Sequence, residues 1–377
     1  MDAPLRIGMV APLWESIPPA TYGGIEYIVH LLCEGLRARG HQVTLFASGN
    51  SRTTATLAAL SDTTLTELME TGVAWDYTPY LIRSAVEAIR RGSEFDVIHS
   101  HLDHSTLSMA LLSRTPVIHT LHGAVTADDK WTLNNCSRLR IVALTRSQIR
   151  AVGNPDIEVI ANGIPFQQFK FSPNVGNYLM FLGRMAARKA PHVAIAVAKA
   201  TGMRIVLGGA PMNSQEKHYF ASEVQPHIDG ETVVYAGLLD QAQKIKLLSG
   251  AAALLFPVEW EEPFGLVMIE AMACGTPVVA LARGSVPEII DPGLTGFYGE
   301  TLEDLISLVP SAARLNRSYV RSQAAQRFDS QRMIEAYLSI YRKVAVEQSR
   351  DRAITGRTKG DKTLLRTSVK GRRHQPC

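Results

Sequence analysis

Short, almost wholly apolar runs separated by helix-length stretches recur through the first 160 residues, stop, and then recur a second time. "RIGMVAP" (6–12), "HQVTLFA" (41–47), "DVIHSH" (96–101), "PVIHTLH" (116–122) and "RIVALT" (140–145) each read as a strand buried on both faces. Between the first two lies "GGIEYIVHLLCEGLRARG" (23–40), with Ile25, Ile28, Val29, Leu32 and Leu36 at helical spacing and Arg39-Gly40 as a stop. The periodicity breaks into Gly, Pro and Asn over "NGIPFQQFKFSPNVGN" (162–177), a linker composition. It resumes with "YLMFLGR" (178–184), "MRIVLGG" (203–209), "TVVYAG" (232–237), "AALLFPV" (252–258) and "TPVVAL" (276–281), again alternating with helical patterns such as 190–201 and 240–250. Strands separated by helices imply parallel βαβ units. The expected fold class is therefore α/β: two doubly wound, Rossmann-like domains facing a central cleft, with no short internal repeat.

A length of 377 residues suits two such domains, and 46% hydrophobic with 20% charged residues is a globular balance. No apolar run reaches the ~18 residues that span a bilayer, and Asp2, Arg6 and Pro12 spoil the start as a signal peptide. Cys33, Cys136, Cys274 and Cys377 show neither disulfide-framework nor zinc-site spacing, which implies a reduced, cytoplasmic protein. The net charge of +4 is uneven: residues 350–377 carry +7 and the rest of the chain −3. That tail is poor in large apolar residues and is expected to be disordered. A solvated extension is the plain reading of it, and peripheral contact with an anionic membrane surface is the other. Nucleic acid is not expected as a partner, since no aromatic interleaving or nucleic-acid module accompanies the charge.

In open α/β sheets ligands sit beyond the carboxyl ends of the strands. Strand 178–182 runs into Gly183, Arg184 and, five residues later, Lys189, two cations able to grip a diphosphate. Strand 252–257 runs into "EEPFGLVMIEAMACGTPVV" (261–279), where Pro263-Phe264-Gly265 breaks the chain and a helix starts near Leu266. The first amides of that helix are unpaired and its dipole favours anions, while Glu270, one turn in, tilts back toward the mouth. Glu262 lies in the loop before it, so the end offers donors for phosphate or sugar oxygens and carboxylates for hydroxyls. In the first half Gly23 and Gly24 open a helix after a loop, and His122 with Gly123 ends a strand. Plain readings compete with each of these: a capped helix start, turn glycines, a structural histidine. There is no GxG pair, no GxxxxGK[ST], no GxSxG, no HExxH and no Asp-x-Asp, so neither a cofactor nor a metal is expected.

Taken together, "GGIEYIVHLLCEGLRARGHQVTLFA" (23–47), "LHG" (121–123), "NGI" (162–164), "FLGRMAARKAP" (181–191), "EEPFGLVMIEAMACGTPVV" (261–279), "PEIIDPGLTGF" (287–297) and "YLSIYRKV" (337–344) resemble the retaining glycosyltransferases of family 4, which have the GT-B fold. The resemblance covers roughly residues 5 to 347. It implies an acceptor-side domain over 1–170 with a returning helix at about 330–349, and a donor-binding domain over 177–329. It implies a hexosyltransferase that moves a hexose from a UDP- or GDP-sugar to the hydroxyl of a sugar, lipid-linked or small-metabolite acceptor, without metal. By the same resemblance Arg184 and Lys189 bind the diphosphate and Glu270 the ribose. Glu262, with the amides of Phe264, Gly265 and Leu266, binds the donor sugar; Gly209 and the backbone near Leu238 contribute donor contacts; Gly23 and Gly24 approach phosphate and acceptor; His122 lines the reacting centre. Ala190 departs from the pattern, which more often has Gly after the Lys. A nucleotide-sugar epimerase or hydrolase of the same architecture, or a non-catalytic sugar-nucleotide-binding protein, are the alternatives.

Overall fold

In the computed structural model residues 3–136, 139–154 and 156–367 are described, with backbone alone from 349 onward. Seven strands form the first sheet: β1 (Arg6–Val10), β2 (Gln42–Ser48), β3 (Thr56–Ser61), β4 (Val97–Ser100), β5 (Val117–Thr120), β6 (Arg140–Ala143) and β7 (Glu158–Val159). Six form the second: β8 (Tyr178–Leu182), β9 (Arg204–Gly208), β10 (Val233–Gly237), β11 (Ala253–Phe256), β12 (Val278–Leu281) and β13 (Gly296–Gly299). The orders are β3-β2-β1-β4-β5-β6-β7 and β10-β9-β8-β11-β12-β13, with parallel pairing throughout. Strand order reverses between β1 and β4 in one sheet and between β8 and β11 in the other. Such a reversal opens a crevice at the strand ends, so the loops after β8 and β11 are where the topology puts a ligand.

The ten apolar runs each contain a strand. β3, β7 and β13 carry no such run; all three are edge strands, half-covered or exposed, and an edge needs no continuous apolar stretch. The Gly24–Ala38 helix buries Ile28, Val29, Leu32 and Leu36 against the first sheet and ends at Arg39, before Gly40 with φ +84°.

The helix Ser330–Thr367 returns to the first sheet, burying Met333, Ile334, Tyr337, Leu338, Tyr341 and Val344 among Ile7, Met9 and Leu32. Gly35 makes room for it: a Cβ there would lie 2.3 Å from Ile334 Cδ1. The helix extends into the basic tail as far as Thr367. The remaining residues, 368–377, lie outside the described ones.

The chain passes between the two sheets twice, and the passages are bonded side by side. Ile164 N–H donates to Phe328 O at 2.9 Å and Ser330 N–H to Ile164 O at 2.9 Å. Gly163 permits the approach, since a Cβ there would sit 2.8 Å from Asp329 O. Just beyond, the buried Arg317 ties the linker to the second sheet, donating to the carbonyls of Ser172 (2.7 Å), Ala251 (2.7 Å) and Ser249 (2.9 Å) and to Thr276 Oγ1 (2.6 Å). Replacing Arg317 by Met strands those acceptors in the interior. Loss of about 3 kcal/mol is expected, read as a lowered urea midpoint; an unchanged midpoint would remove Arg317 from this role.

Candidate active site

At the end of β8, Gly183 turns the chain and Arg184 leaves it toward the helix after β9. Its guanidinium forms a two-pronged pair with Glu216, Nε donating to Oε2 at 3.3 Å and Nη2 to Oε1. Glu216 is itself fixed, because Oε2 also accepts from Met212 N–H at 2.8 Å. Lys189 closes the next short turn, and its Nζ donates to Glu262 Oε2. Trp260 Nε1 donates to the same oxygen at 2.8 Å. The indole is flanked by two cations, Arg188 Cζ at 4.6 Å and Lys189 Nζ at 5.0 Å from the ring. Ala190 follows with φ +52°, the left-handed region that glycine occupies more readily; the departure noted in the sequence is thus made at a backbone cost.

The loop after β11 is held in place by its neighbours. Gly284, φ +56°, lies so close that a Cβ would be 2.3 Å from Glu262 N, and Ser285 N–H donates to Glu262 O at 2.9 Å. Ser285 Oγ donates to Phe264 O at 2.8 Å, and the Phe264 ring is buried edge-on to Phe328. Gly265, φ +81°, then starts the Leu266–Ala273 helix; a Cβ there would meet Phe256 and Met268. Glu270 is buried one turn in and accepts from Lys244 Nζ at 2.5 Å. The ends of β8, β9 and β10 are laced by glycines: Gly183 N–H donates to Gly208 O at 3.0 Å and Gly209 N–H to Gly237 O at 2.7 Å. Gly209 has φ +121°, and a Cβ would fall 1.9 Å from Gly183 O. Leu238, just past β10, is exposed.

The first sheet's loops reach this group. Gly23 (φ +143°) turns the chain into the Gly24–Ala38 helix, and a Cβ on Gly24 would lie 3.2 Å from Leu266 Cδ1. Two helix starts therefore face one another. Tyr22 stands beside them: lost hydration raises its phenol pKa, and the charges of Arg184, Glu262, Glu26 and Arg188 act on it. The buried Glu26 carboxyl is pushed up to about 7, chiefly by desolvation.

His122 lies in a different setting from the carboxylates. Its Nε2 is 2.8 Å from His101 Nδ1 in a stacked pair, and His101 packs on His99 with ring centroids 3.9 Å apart. His99 is bonded to Tyr341 Oη (2.6 Å) and Thr120 Oγ1 (2.7 Å). The route from His122 to the other loops is indirect: Gln148 Nε2 donates to Gly123 O at 2.6 Å, Gln148 N–H to Thr145 Oγ1 at 3.2 Å, and Thr145 Oγ1 to Pro263 O at 3.0 Å. Among the described residues no group of three or more His, Cys, Asp or Glu is placed to hold a metal ion.

The structure thus gathers Arg184, Lys189, Glu262, Phe264, Gly265, Leu266, Gly209 and Glu270 at the ends of β8, β9 and β11, brings Gly23 and Gly24 against Leu266, and leaves His122 linked through Gln148 and Thr145. Sequence reasoning missed Glu216, Lys244 and Trp260. Trp260 stands two residues before Glu262 and was within reach. Lys244 and Glu216 sit on helices after β10 and β9, where only a capping box at Asp240–Gln243 and an Asn213 cap mark the sites.

Residues 22–168 match the family described as Glycosyltransferase Family 4, and residues 165–314 the one described as Glycosyl transferases group 1. The two matches meet at the linker and together span most of the chain, which belongs to this glycosyltransferase family and is an enzyme of it. Its fold is GT-B. The chain is 25% identical to a glycogen synthase of Mycobacterium tuberculosis, covering 89% of this chain and 94% of the relative. It is also 25% identical to a phosphatidyl-myo-inositol mannosyltransferase of Mycobacterium leprae, covering 92% and 99%. The crystal structure of Anabaena Alr3699/HepE in complex with UDP-glucose superposes with a TM-score of 0.69 at 17% identity, covering 90% of this chain and all of that one, 100%.

Burial lowers the pKa of His119 to about 4 and that of His122 to about 3, with His119 adding to the effect at His122. An unfolded chain takes up these protons near pH 6.5, whereas the native one refuses them until far lower. Their contribution is complete above about pH 6.5 and is lost as pH falls toward 4. The urea midpoint is expected to drop between pH 7.5 and pH 5, and His119→Asn to narrow the drop. Equal drops in both proteins would refute the assignment.

Proposed function

We propose that the protein transfers a hexose from a nucleoside-diphosphate sugar, UDP- or GDP-linked, to an acceptor hydroxyl with retention at the anomeric carbon and without a metal ion. The observation carrying this reading is the convergence of Arg184, Lys189 and the Gly265–Leu266 helix start beyond β8 and β11, with Glu270 one turn behind. Cations and unpaired amides suit a diphosphate; a buried carboxylate suits paired ribose hydroxyls. The named activities of the glycogen synthase and mannosyltransferase relatives, and the UDP-glucose in the HepE complex, support the donor class.

As the bond from the anomeric carbon to the phosphate oxygen breaks, the ring becomes oxocarbenium-like and negative charge grows on the leaving diphosphate. Arg184, Lys189 and the helix amides offset that charge from fixed positions, an effect worth a few kcal/mol per contact. The acceptor attacks from the face the diphosphate leaves, and a phosphate oxygen takes its proton. Glu262 binds the donor sugar with the amides of Phe264, Gly265 and Leu266; Gly209 and the backbone near Leu238 contact the nucleotide. His122 is neutral at working pH, and with Nε2 engaged by His101 it offers the sugar Nδ1. Closing the two halves excludes water. The acceptor is a sugar, a lipid-linked sugar or a small metabolite, and the site of action is cytoplasmic or at a membrane surface.

The test is thermal stability with UDP, GDP, ADP and their hexose conjugates. A ligand at 100 times its dissociation constant adds about 2.7 kcal/mol. One series is expected to stabilise the wild type and to lose that increment in Arg184→Ala and Glu270→Ala. Release of nucleoside diphosphate that requires an acceptor separates transfer from hydrolysis or epimerisation. No shift with any series at millimolar ligand would sink the reading.

A further inference from the structure

Tyr27 lies one turn into the Gly24–Ala38 helix, which belongs to the first sheet, yet its ring packs on the core of the second. It does so beside the Glu270–Lys244 pair, with Lys244 Nζ 6.0 Å from its ring centre. The approach follows from the facing helix starts. With no side chain on Gly24 the two first turns close up, Gly24 against Leu266, and one turn further in Tyr27 lies near enough for the charge of Glu270 to act on it. The Tyr27 hydroxyl is buried and has no hydrogen-bond partner. Burial, with the charge of Glu270 added, raises its pKa far above the usual phenol value, so it remains a proton donor at any working pH.

A buried hydroxyl with nothing to bond is unfavourable, and phenylalanine would fill the same space without that cost. An orphan donor beside the carboxylate assigned to the ribose has one evident use. We propose that Tyr27 is a donor-binding residue supplied across the cleft: its Oη bonds a ribose hydroxyl of the nucleotide that Glu270 holds, so that the nucleoside half of the donor bridges both halves of the enzyme. The inference rests on the donor reading above.

The test is Tyr27→Phe, with binding measured by calorimetry using whichever of UDP, GDP and ADP stabilises the wild type most, together with its 2′-deoxy and 3′-deoxy forms. The ligand-free variant should melt at or above the wild-type temperature, since it loses an unpaired polar atom. Its affinity for the ribonucleotide should fall about fivefold to tenfold, the worth of one neutral hydrogen bond. The gap between the ribonucleotide and one of the deoxy forms should shrink by the same factor. Wild-type affinity in Tyr27→Phe, with Glu270→Ala still impaired, would overturn the proposal and leave the donor reading standing. A clear destabilisation of the ligand-free variant would also overturn it, by showing that the hydroxyl already has a structural partner. If the wild type binds none of the three nucleotides, the donor reading fails and this inference fails with it.

Discussion

The approach of Gly24 to Leu266 sets the geometry of everything around it. Each residue begins a helix, and each helix follows a turn that glycine makes, Gly23 at φ +143° and Gly265 at φ +81°. Because no side chain stands at Gly24, the starts of two helices from different sheets open onto one space. Unpaired amides and the positive ends of two dipoles then share a cleft that the strand reversals at β1/β4 and β8/β11 had already opened. A Cβ at position 24 would lie 3.2 Å from Leu266 Cδ1 and ask that side chain to give way by a few tenths of an ångström, whereas a long side chain there would occupy the shared space.

Charge in that cleft is arranged in pairs. Arg184 lies on Glu216, Lys189 on Glu262 and Lys244 on Glu270, each pair largely withdrawn from water. Side chains as long as Lys and Arg lose much rotamer freedom when fixed, and here that ordering is done by the protein rather than by the ligand. Taking charges out of water is unfavourable in itself, so these pairs are poor devices for stability. They do hold the cations in fixed positions at the strand ends. Trp260 serves the same end, fixing the Glu262 carboxylate from one side while Arg188 and Lys189 lie against its ring.

What the sequence discloses follows how local each signal is. The central strands are apolar on both faces and stand out; β3, β7 and β13, at the edges, do not. Arg184 and Lys189 lie within one turn-and-helix start, and Glu262 and Glu270 bracket another, so residue type and spacing were enough to single them out. Glu216 and Lys244 complete the same pairs from other strands' helices, and only the folded order of β8, β9, β10 and β11 puts them there. Nothing in the local pattern marks Tyr27, because its setting is made by the opposite half. His122 lies two residues past β5, and its tie to His101, and through it to His99 and Tyr341, joins β4, β5 and the returning helix, which no local pattern reveals.

The bonded passages at Ile164 and Asp329 have a topological consequence. The second sheet, with all its helices, enters the chain at one point and leaves it at a point alongside, so it is in effect an insertion within the first unit, which is finished only by the returning helix. A segment whose two ends lie next to each other can be lengthened, shortened or exchanged without altering the distance its host must close. The second half is built as a cassette, and the first is the frame that holds it.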